Sequence, residues 1–245
     1  MNAPRRAVAF FDVDETLITV KSMSRFLAFY WDREGEDQAR FLRARSEHLR
    51  AQAAGVPRSR LNRSFYRHFR GASGAVLARA GRDWFAAEQA RGGLFHQPTV
   101  DALLGHRRAG DLIALVSGSF LPCLAPIAEA LHADVVLCVT AEEHDGILTG
   151  EIDTPVIGAR KAGLARQTMG DHHAAPRDCH AYGDHASDVD LLRAVGHPVV
   201  VGDDPLLNSL VRSEGWRRLA GVAAPSPVGS HVGRPRTGPL TGALT

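Results

Sequence analysis

Five apolar residues, Ala7 to Phe11, run directly into Asp12, and Asp14 and Thr16 follow at alternate positions. A carboxylate at the end of a rigid, buried strand can attack phosphorus. The resulting aspartyl-phosphate splits one hard displacement into two easier ones. Attacker and phosphate are both anionic, so the step needs a cation. Mg²⁺ meets that need, because it binds through one or two carboxylates together with substrate oxygens and waters. Asp12 and Asp184 form the natural pair, with the Asp14 backbone carbonyl nearby. Asp188, four residues after Asp184, joins directly or through water. The Asp14 side chain lies on the same side as Asp12 if the strand geometry persists. There it can protonate a leaving alkoxide and then activate water. Ser117 and the N–H groups of Gly118 and Ser119 precede a helix, whose N-terminus can hold phosphate oxygens. Lys161, early in another helix, can bridge phosphate and Asp12. Thr16 joins these residues as a candidate phosphate contact.

The elements that must hold these residues are readable from apolar spacing. Residues 7–11 read as a buried strand. Residues 24–31, 36–54, 58–70 and 74–91 read as helices with no strand between them, which makes residues 19–96 a helical insertion. Beyond Pro98, helix and strand alternate. A helix at 99–109 precedes the strand "DLIALV", and "PCLAPIAEALH" is a helix that Pro126 is expected to kink. The strand "DVVLCV" follows, then a hairpin turning at Asp145-Gly146. A helix at 159–170, a strand in "CHAYGD", a helix at 187–195, the strand "PVVVGD" and a helix at 204–213 complete the pattern. Near-continuous apolar strands alternating with helices imply an α/β fold with a parallel, Rossmann-like sheet covered on both faces. Such sheets bind ligands at the carboxyl ends of their strands. Asp12, Ser117 and Asp184 each end an apolar run, so all three fall on that rim. From about residue 222 the composition is Pro, Gly, Ser and Thr, which predicts a disordered tail over 222–245.

Composition narrows the class further. With 245 residues and 44% hydrophobic content, the chain can bury a large core. A net charge of +2 gives no argument for nucleic acid. No run approaches the roughly 20 apolar residues of a membrane span, and the basic start "MNAPRR" is not followed by a secretory signal core. Cys123, Cys138 and Cys179 form no CxxC pair, which predicts reduced thiols in a cytoplasmic protein. Of the 29 Lys and Arg residues, only Lys21 and Lys161 are lysine. Arg and Lys are not interchangeable at a tight site, so both lysines draw attention. The twelve histidines show no metal-ligand spacing.

"DVDET", "LVSGS", Lys161 and "GDHASD" resemble, in order, the four motifs of the haloacid dehalogenase superfamily. The likeness spans residues 7 to about 219. The helical insertion resembles the C1 cap, and "PIAEAL", "DGILTGEI" and "LLRAVGHPVVV" resemble the phosphoserine-phosphatase-like branch, subfamily IB. The resemblance implies a core of residues 1–18 and 97–221 under a cap of residues 19–96. It implies a Mg²⁺-dependent phosphomonoesterase acting on a small phosphorylated metabolite. Asp12 would be the nucleophile and Asp14 the acid/base. Ser117 and Lys161 would hold phosphate, and Asp184 and Asp188 the metal. The second Asp of the first motif resembles the phosphatases, because the dehalogenases lack it.

Two positions depart from that pattern. Phosphoserine phosphatases carry a Glu nine residues after the nucleophile, where it receives the substrate's ammonium. This chain has Lys21 there, which favours an anionic or neutral-polar substrate over phosphoserine. His185 stands where Gly or Ser is usual, and is expected in solvent or behind the metal ligands. Between Arg40 and Arg70 there are nine arginines and one acid, Glu47. A solvated face is the first reading of this run, attraction of an anionic substrate the second, and nucleic acid a distant third. Phe65, Tyr66 and Phe69 fit packing within the insertion better than base stacking. The same motifs would also serve a phosphotransferase or phosphomutase, and a non-catalytic binding module is the least favoured alternative.

Overall fold

The computed structural model describes residues 7–222. The expected tail therefore lies outside the described residues, apart from Val222. Strand β1 (Val8–Phe11) has every residue buried, as its uninterrupted apolar sequence requires. It sits near the middle of a six-stranded sheet with β2 (Leu112–Phe120), β3 (Val135–Val139), β6 (His180–Gly183), β7 (His197–Val201) and β8 (Arg217–Leu219). The order is β3-β2-β1-β6-β7-β8, and every pairing in it is parallel. The expected α/β fold is thus the observed one. β1 is flanked by β2 and β6, so Asp12 and Asp184 follow their strands at the same rim, and Ser117 lies in the last part of the strand between β1 and β3.

Between β1 and α5 (Gln97–Ala109) the chain forms α1 (Ser22–Arg33), α2 (Gln38–Ala53), α3 (Arg58–Phe65) and α4 (Gly74–Arg91). The helix expected over 58–70 ends at Phe65, and Tyr66–Phe69 tighten into a 3₁₀ turn. That turn aims Tyr66 and Phe69, both fully buried, into a cluster with Phe26, Tyr30 and Phe120. Phe120 belongs to β2, so one aromatic cluster joins the helical segment to the sheet. A second tie is backbone contact. A Cβ on Gly81 of α4 would lie 1.8 Å from the Pro122 carbonyl oxygen, so only glycine permits this approach to α6 (Leu121–Leu131). By contrast α2 buries no residue, and its arginines read as the solvated face. Other arginines of the run serve the protein itself. Arg63 donates to the Ile152 and Asp153 carbonyls at 2.7 and 2.8 Å, and Arg67 and Arg70 pair with Glu151.

The hairpin of β4 (Ala141–His144) and β5 (Ile147–Ile152) turns at Asp145-Gly146, both at positive φ, as the sequence predicts. It forms its own two-stranded sheet and bridges to Ser73. Three local expectations need correction. β2 runs on through Ser117-Gly118-Ser119, with an irregular register against β3 between Val116 and Phe120. The helix expected over 187–195 is a 3₁₀ turn, Ala186–Asp188, followed by a short α8 (Val189–Arg193). β8 was not anticipated, because "RRL" carries no strand pattern and owes its state to pairing with β7. Lys161 lies in the first turn of α7 (Ala159–Asp171), and α9 (Pro205–Glu214) precedes β8.

Candidate active site

Past β1 the chain must turn sharply to keep both carboxylates at the rim. The Val13 carbonyl accepts from the N–H groups of Thr16, Leu17 and Ile18 at 3.3, 2.9 and 3.0 Å. Glu15 adopts φ +59 to complete the turn, a left-handed conformation that costs energy for a residue with a side chain. Asp12 is buried, and its N–H donates to the Tyr182 carbonyl of β6 at 2.9 Å. The nucleophile candidate is therefore fixed by the sheet itself.

Asp12, Asp184 and Asp188 each bring a carboxylate oxygen within 4.8 Å of the others. Lys161 reaches into this group. Its Nζ donates to Asp12 Oδ1 and to Asp188 Oδ1, each at 2.7 Å, and the ammonium is buried. Burial opposes the charge of Lys161, but the two carboxylates outweigh it and push the pKa above its ordinary value. Burial, and then the Asp12 and Asp188 charges, push Asp184 up. Asp188 is also pushed up by its burial. One ammonium does not balance three carboxylates, and an all-oxygen donor set of this size suits a hard divalent cation such as Mg²⁺.

The loop that carries Asp184 and Asp188 is braced from several sides. Gly183 gives Asp188 its space, since a Cβ there would lie 2.7 Å from the Asp188 Cβ. His185 caps the 3₁₀ turn. Its Nδ1 accepts from the Ser187 N–H at 3.0 Å, while its own N–H donates to Asp188 at 3.3 Å. This puts His185 beside Asp188, on the inside of the loop rather than in open solvent. Asp204 accepts from the Ala186 N–H at 3.2 Å and also caps α9. Sequence reading missed that brace. Asp204-Pro205 signals a helix start, but nothing in the sequence links it to residue 186.

Asp14 sits beside the acidic group without joining it. Its carboxylate accepts from the Ser22 N–H at 3.0 Å. Burial raises its pKa to about 6, a suitable range for exchanging a proton near neutrality. Ser117 and Ser119 are buried, and Ser117 Oγ accepts from the Ser119 N–H at 3.1 Å. Ser119 Oγ receives the Ser22 hydroxyl at 3.0 Å, linking the second motif to α1. The Gly118 carbonyl accepts from Asn62 Nδ2 and from the Tyr66 hydroxyl, both at 2.8 Å. Burial holds the Tyr66 phenol well above its ordinary pKa, so it remains a donor. Asn62 and Tyr66 thus clamp the "SGS" segment from the helical side. Sequence reading assigned Tyr66 to packing alone and did not single out Asn62.

Two further candidates each meet a carboxylate of the chain itself. The Thr16 hydroxyl donates to Asp184 Oδ1 at 3.0 Å, so it orients that carboxylate. Lys21 is exposed at the start of α1 and pairs with Glu15 at 3.1 Å.

The haloacid dehalogenase-like hydrolase family profile matches residues 9–193, which include all of these motifs. Phosphoserine phosphatase SerB1 of Mycobacterium tuberculosis (strain ATCC 25618 / H37Rv) is 29% identical over 239 residues, covering 90% of this chain and 75% of that protein. Among solved structures, a protein of unknown function from Bordetella pertussis Tohama I superposes with a TM-score of 0.78 at 27% identity, covering 87% of this chain and 98% of the other. A phosphoserine phosphatase solved as a phospho-aspartyl intermediate analogue shares the fold, with a TM-score of 0.65 at 16% identity over 89% and 94% of the two chains.

Proposed function

Because this chain belongs to the haloacid dehalogenase-like hydrolase family and is a hydrolase of the phosphatase kind, we propose that it hydrolyses a small anionic phosphate monoester through an aspartyl-phosphate on Asp12, with Mg²⁺ as cofactor. One observation carries this reading. The buried Lys161 ammonium lies 2.7 Å from both Asp12 and Asp188, inside a group of three carboxylates at the rim of the sheet. Asp12, Asp184 and Asp188, with the Asp14 backbone carbonyl, would hold the ion. Bound there, Mg²⁺ would offset phosphate charge and so permit attack by an anion.

In this reading Asp12 Oδ attacks phosphorus and the ester oxygen departs. Asp14 gives that oxygen its proton, then takes one from the water that cleaves the aspartyl-phosphate. Its raised pKa suits both roles. Lys161 neutralises charge between phosphate and Asp12. The Ser117 hydroxyl and the Gly118 N–H receive phosphate oxygens, and the Ser119 N–H orients the Ser117 hydroxyl. Residues 19–96 act as a cap that excludes bulk water over a core of residues 1–18 and 97–221. The substrate preference rests on Lys21, with Arg58 adding positive potential that reaches His185 and Asp188. The free thiols of all three cysteines support a reducing, cytoplasmic setting. Among the described residues no helix is long and apolar enough to cross a membrane.

The test is phosphate release from a broad panel of monoesters, with Mg²⁺ and with a chelator. Mg²⁺-dependent release, led by esters bearing a second anionic group and abolished in Asp12→Asn, is the expected result. L-phosphoserine as the best substrate would overturn the Lys21 reading. Unchanged turnover in Asp12→Asn would overturn the mechanism.

A further inference from the structure

The parallel sheet has a second polar rim, at the amino ends of its strands, and that rim gathers histidines. His180 is the first residue of β6 and His197 the first of β7, and the two pair in register. Asp111 immediately precedes β2, and His106 lies in the last turn of α5. One ring nitrogen each from His106 and His180 and a carboxylate oxygen of Asp111 lie within 4.8 Å of one another. All three residues are partly buried, so an ion could reach them from solvent. His180 is four residues before Asp184 along β6, which puts the group roughly 13 Å from the catalytic carboxylates.

We propose that His106, Asp111 and His180 form a binding site for a divalent transition-metal ion of the Zn²⁺ type, separate from the Mg²⁺ site. Mixed imidazole and carboxylate ligands suit Zn²⁺, Co²⁺ or Ni²⁺, whereas Mg²⁺ takes oxygen alone. Three features support the site beyond proximity. First, His180 Nδ1 is buried with no hydrogen-bond partner, an uncommon and costly state for a ring nitrogen. Second, the His106 ring is already oriented from behind. Its Nδ1 lies 2.8 Å from Asp111 Oδ2, and its Nε2 lies 2.9 Å from the Tyr182 hydroxyl. In the neutral Nδ1–H tautomer that these contacts suit, Nδ1–H donates to Asp111 and Nε2 accepts from Tyr182. When Nδ1 takes the ion, its proton moves to Nε2 and is donated to the Tyr182 oxygen. The ring stays neutral and keeps an outer hydrogen bond, as metal-bound histidines usually do. Third, the rings are held together. His180 lies 4.3 Å from His106 and stacks on His197 at 4.5 Å between centroids. Burial, followed by the neighbouring His106 and His197 rings, lowers His180 to about 4, so its ring is neutral near pH 7. Ligand atoms about 2.0–2.1 Å from a tetrahedral ion stand roughly 3.3 Å apart. The 2.8 Å His106–Asp111 contact therefore needs to open by only about half an ångström. His197 is exposed beside the group, and a fourth position is left to it or to water.

The sequence shows no such site, because positions 106, 111 and 180 have no recognisable ligand spacing. The sheet alone brings them together.

The full-length chain, freed of metal with a chelator and then supplied with excess Mg²⁺, is titrated with Co²⁺ as the probe. The expected result is one equivalent bound with the intense visible bands of a four-coordinate ion, displaced by Zn²⁺. His180→Gln and Asp111→Asn should each weaken that binding at least tenfold and leave Mg²⁺-dependent phosphate release within twofold of wild type. Circular dichroism checks that both variants fold, and Asp111→Asn stands in if His180→Gln does not. His144→Gln, at an exposed histidine of the hairpin, should bind Co²⁺ like wild type. Absence of the bands in the wild type would overturn the site, as would wild-type affinity in both ligand variants. Loss of the bands only in an Asp184→Asn variant would instead assign the ion to the catalytic group.

Discussion

Gly183→Ala offers a clean probe of how the acidic loop is held. Gly183 ends β6 with an ordinary backbone conformation, so alanine adds only a methyl group and no torsional strain. That methyl would stand 2.7 Å from the Asp188 Cβ and 3.0 Å from its Cγ and Oδ2. Carbon atoms rest at about 3.5 Å or more, so Asp188 must retreat by about 0.8 Å. The clash is with Cβ, close to the backbone, so rotating the carboxylate does not relieve it. Asp188 is fully buried and hydrogen-bonded to Lys161 at 2.7 Å, which leaves it little room. Overpacking of this kind costs about 1–3 kcal/mol of stability. A ligand misplaced by nearly an ångström costs on the order of 10–100-fold in metal affinity or rate. Urea unfolding measures the first quantity, and phosphate release across a Mg²⁺ titration measures the second. Gly118→Ala is the contrast, since its added methyl would meet Asn62 Nδ2 at 3.3 Å and nothing closer. If Gly183→Ala keeps wild-type stability and a wild-type Mg²⁺ dependence, Asp188 is not held where the packing argument requires.

Lys161→Arg should lower kcat/KM at least 100-fold, because a planar guanidinium cannot take the place of a buried ammonium 2.7 Å from two carboxylates; steady-state kinetics with a monoester decides this. Lys161→Met should cost about 3–5 kcal/mol, since it leaves buried carboxylates without their cation, and urea midpoints in chelator check it. Tyr66→Phe removes one of the two donors to the Gly118 carbonyl, so about 1 kcal/mol of stability should go, read by thermal melting, with Asn62 retaining the other bond. Asp14→Asn should accumulate or slow the aspartyl-phosphate, seen as a acid-stable mass increase of one phosphoryl group. The same variant should be more stable than wild type at pH 8. Burial raises Asp14 from 3.8 to about 6, so folding favours its protonated form, and the native carboxylate costs stability above pH 6. The difference is at most about 3 kcal/mol, reduced where water reaches the partly buried side chain. It should shrink as pH falls from 6 towards 4, and urea midpoints in chelator at pH 8 and pH 4.5 measure it.

How much of this was legible in the sequence depends on the range of the interaction involved. Asp12, Ser117 and Asp184 are legible because each ends an apolar run of the sequence, and parallel strands present all their carboxyl ends at one rim. Lys161 stood out because the chain uses Arg almost everywhere else. Contacts between distant segments left no local trace. Nothing in "RSRLNRSFYRHF" says that Asn62 and Tyr66 meet the Gly118 carbonyl, because that depends on the 3₁₀ turn and on Phe120 entering the aromatic cluster. Nothing near Asp204 says that it braces Ala186. The turn beneath Glu15 carries the Thr16 hydroxyl to Asp184, a contact that its place in "DVDET" does not reveal.

The same reasoning explains why the two polar rims of the sheet differ so much in legibility. On the carboxylate rim Asp12 and Asp184 follow their strands at once, so a rule about strand ends finds them. On the opposite rim His180 opens a strand, Asp111 precedes one and His106 reaches in from a helix. No one rule selects three such places. The sheet still sorts the donors by chemistry, with carboxylates and an ammonium at one edge and imidazoles with one carboxylate at the other. Hard oxygen donors favour Mg²⁺, and imidazole favours the Zn²⁺ class. Two ions in one solution would therefore choose opposite ends of β6. Mg²⁺ in excess should leave the histidine rim free, and a low concentration of Co²⁺ should fill that rim before it disturbs phosphate release.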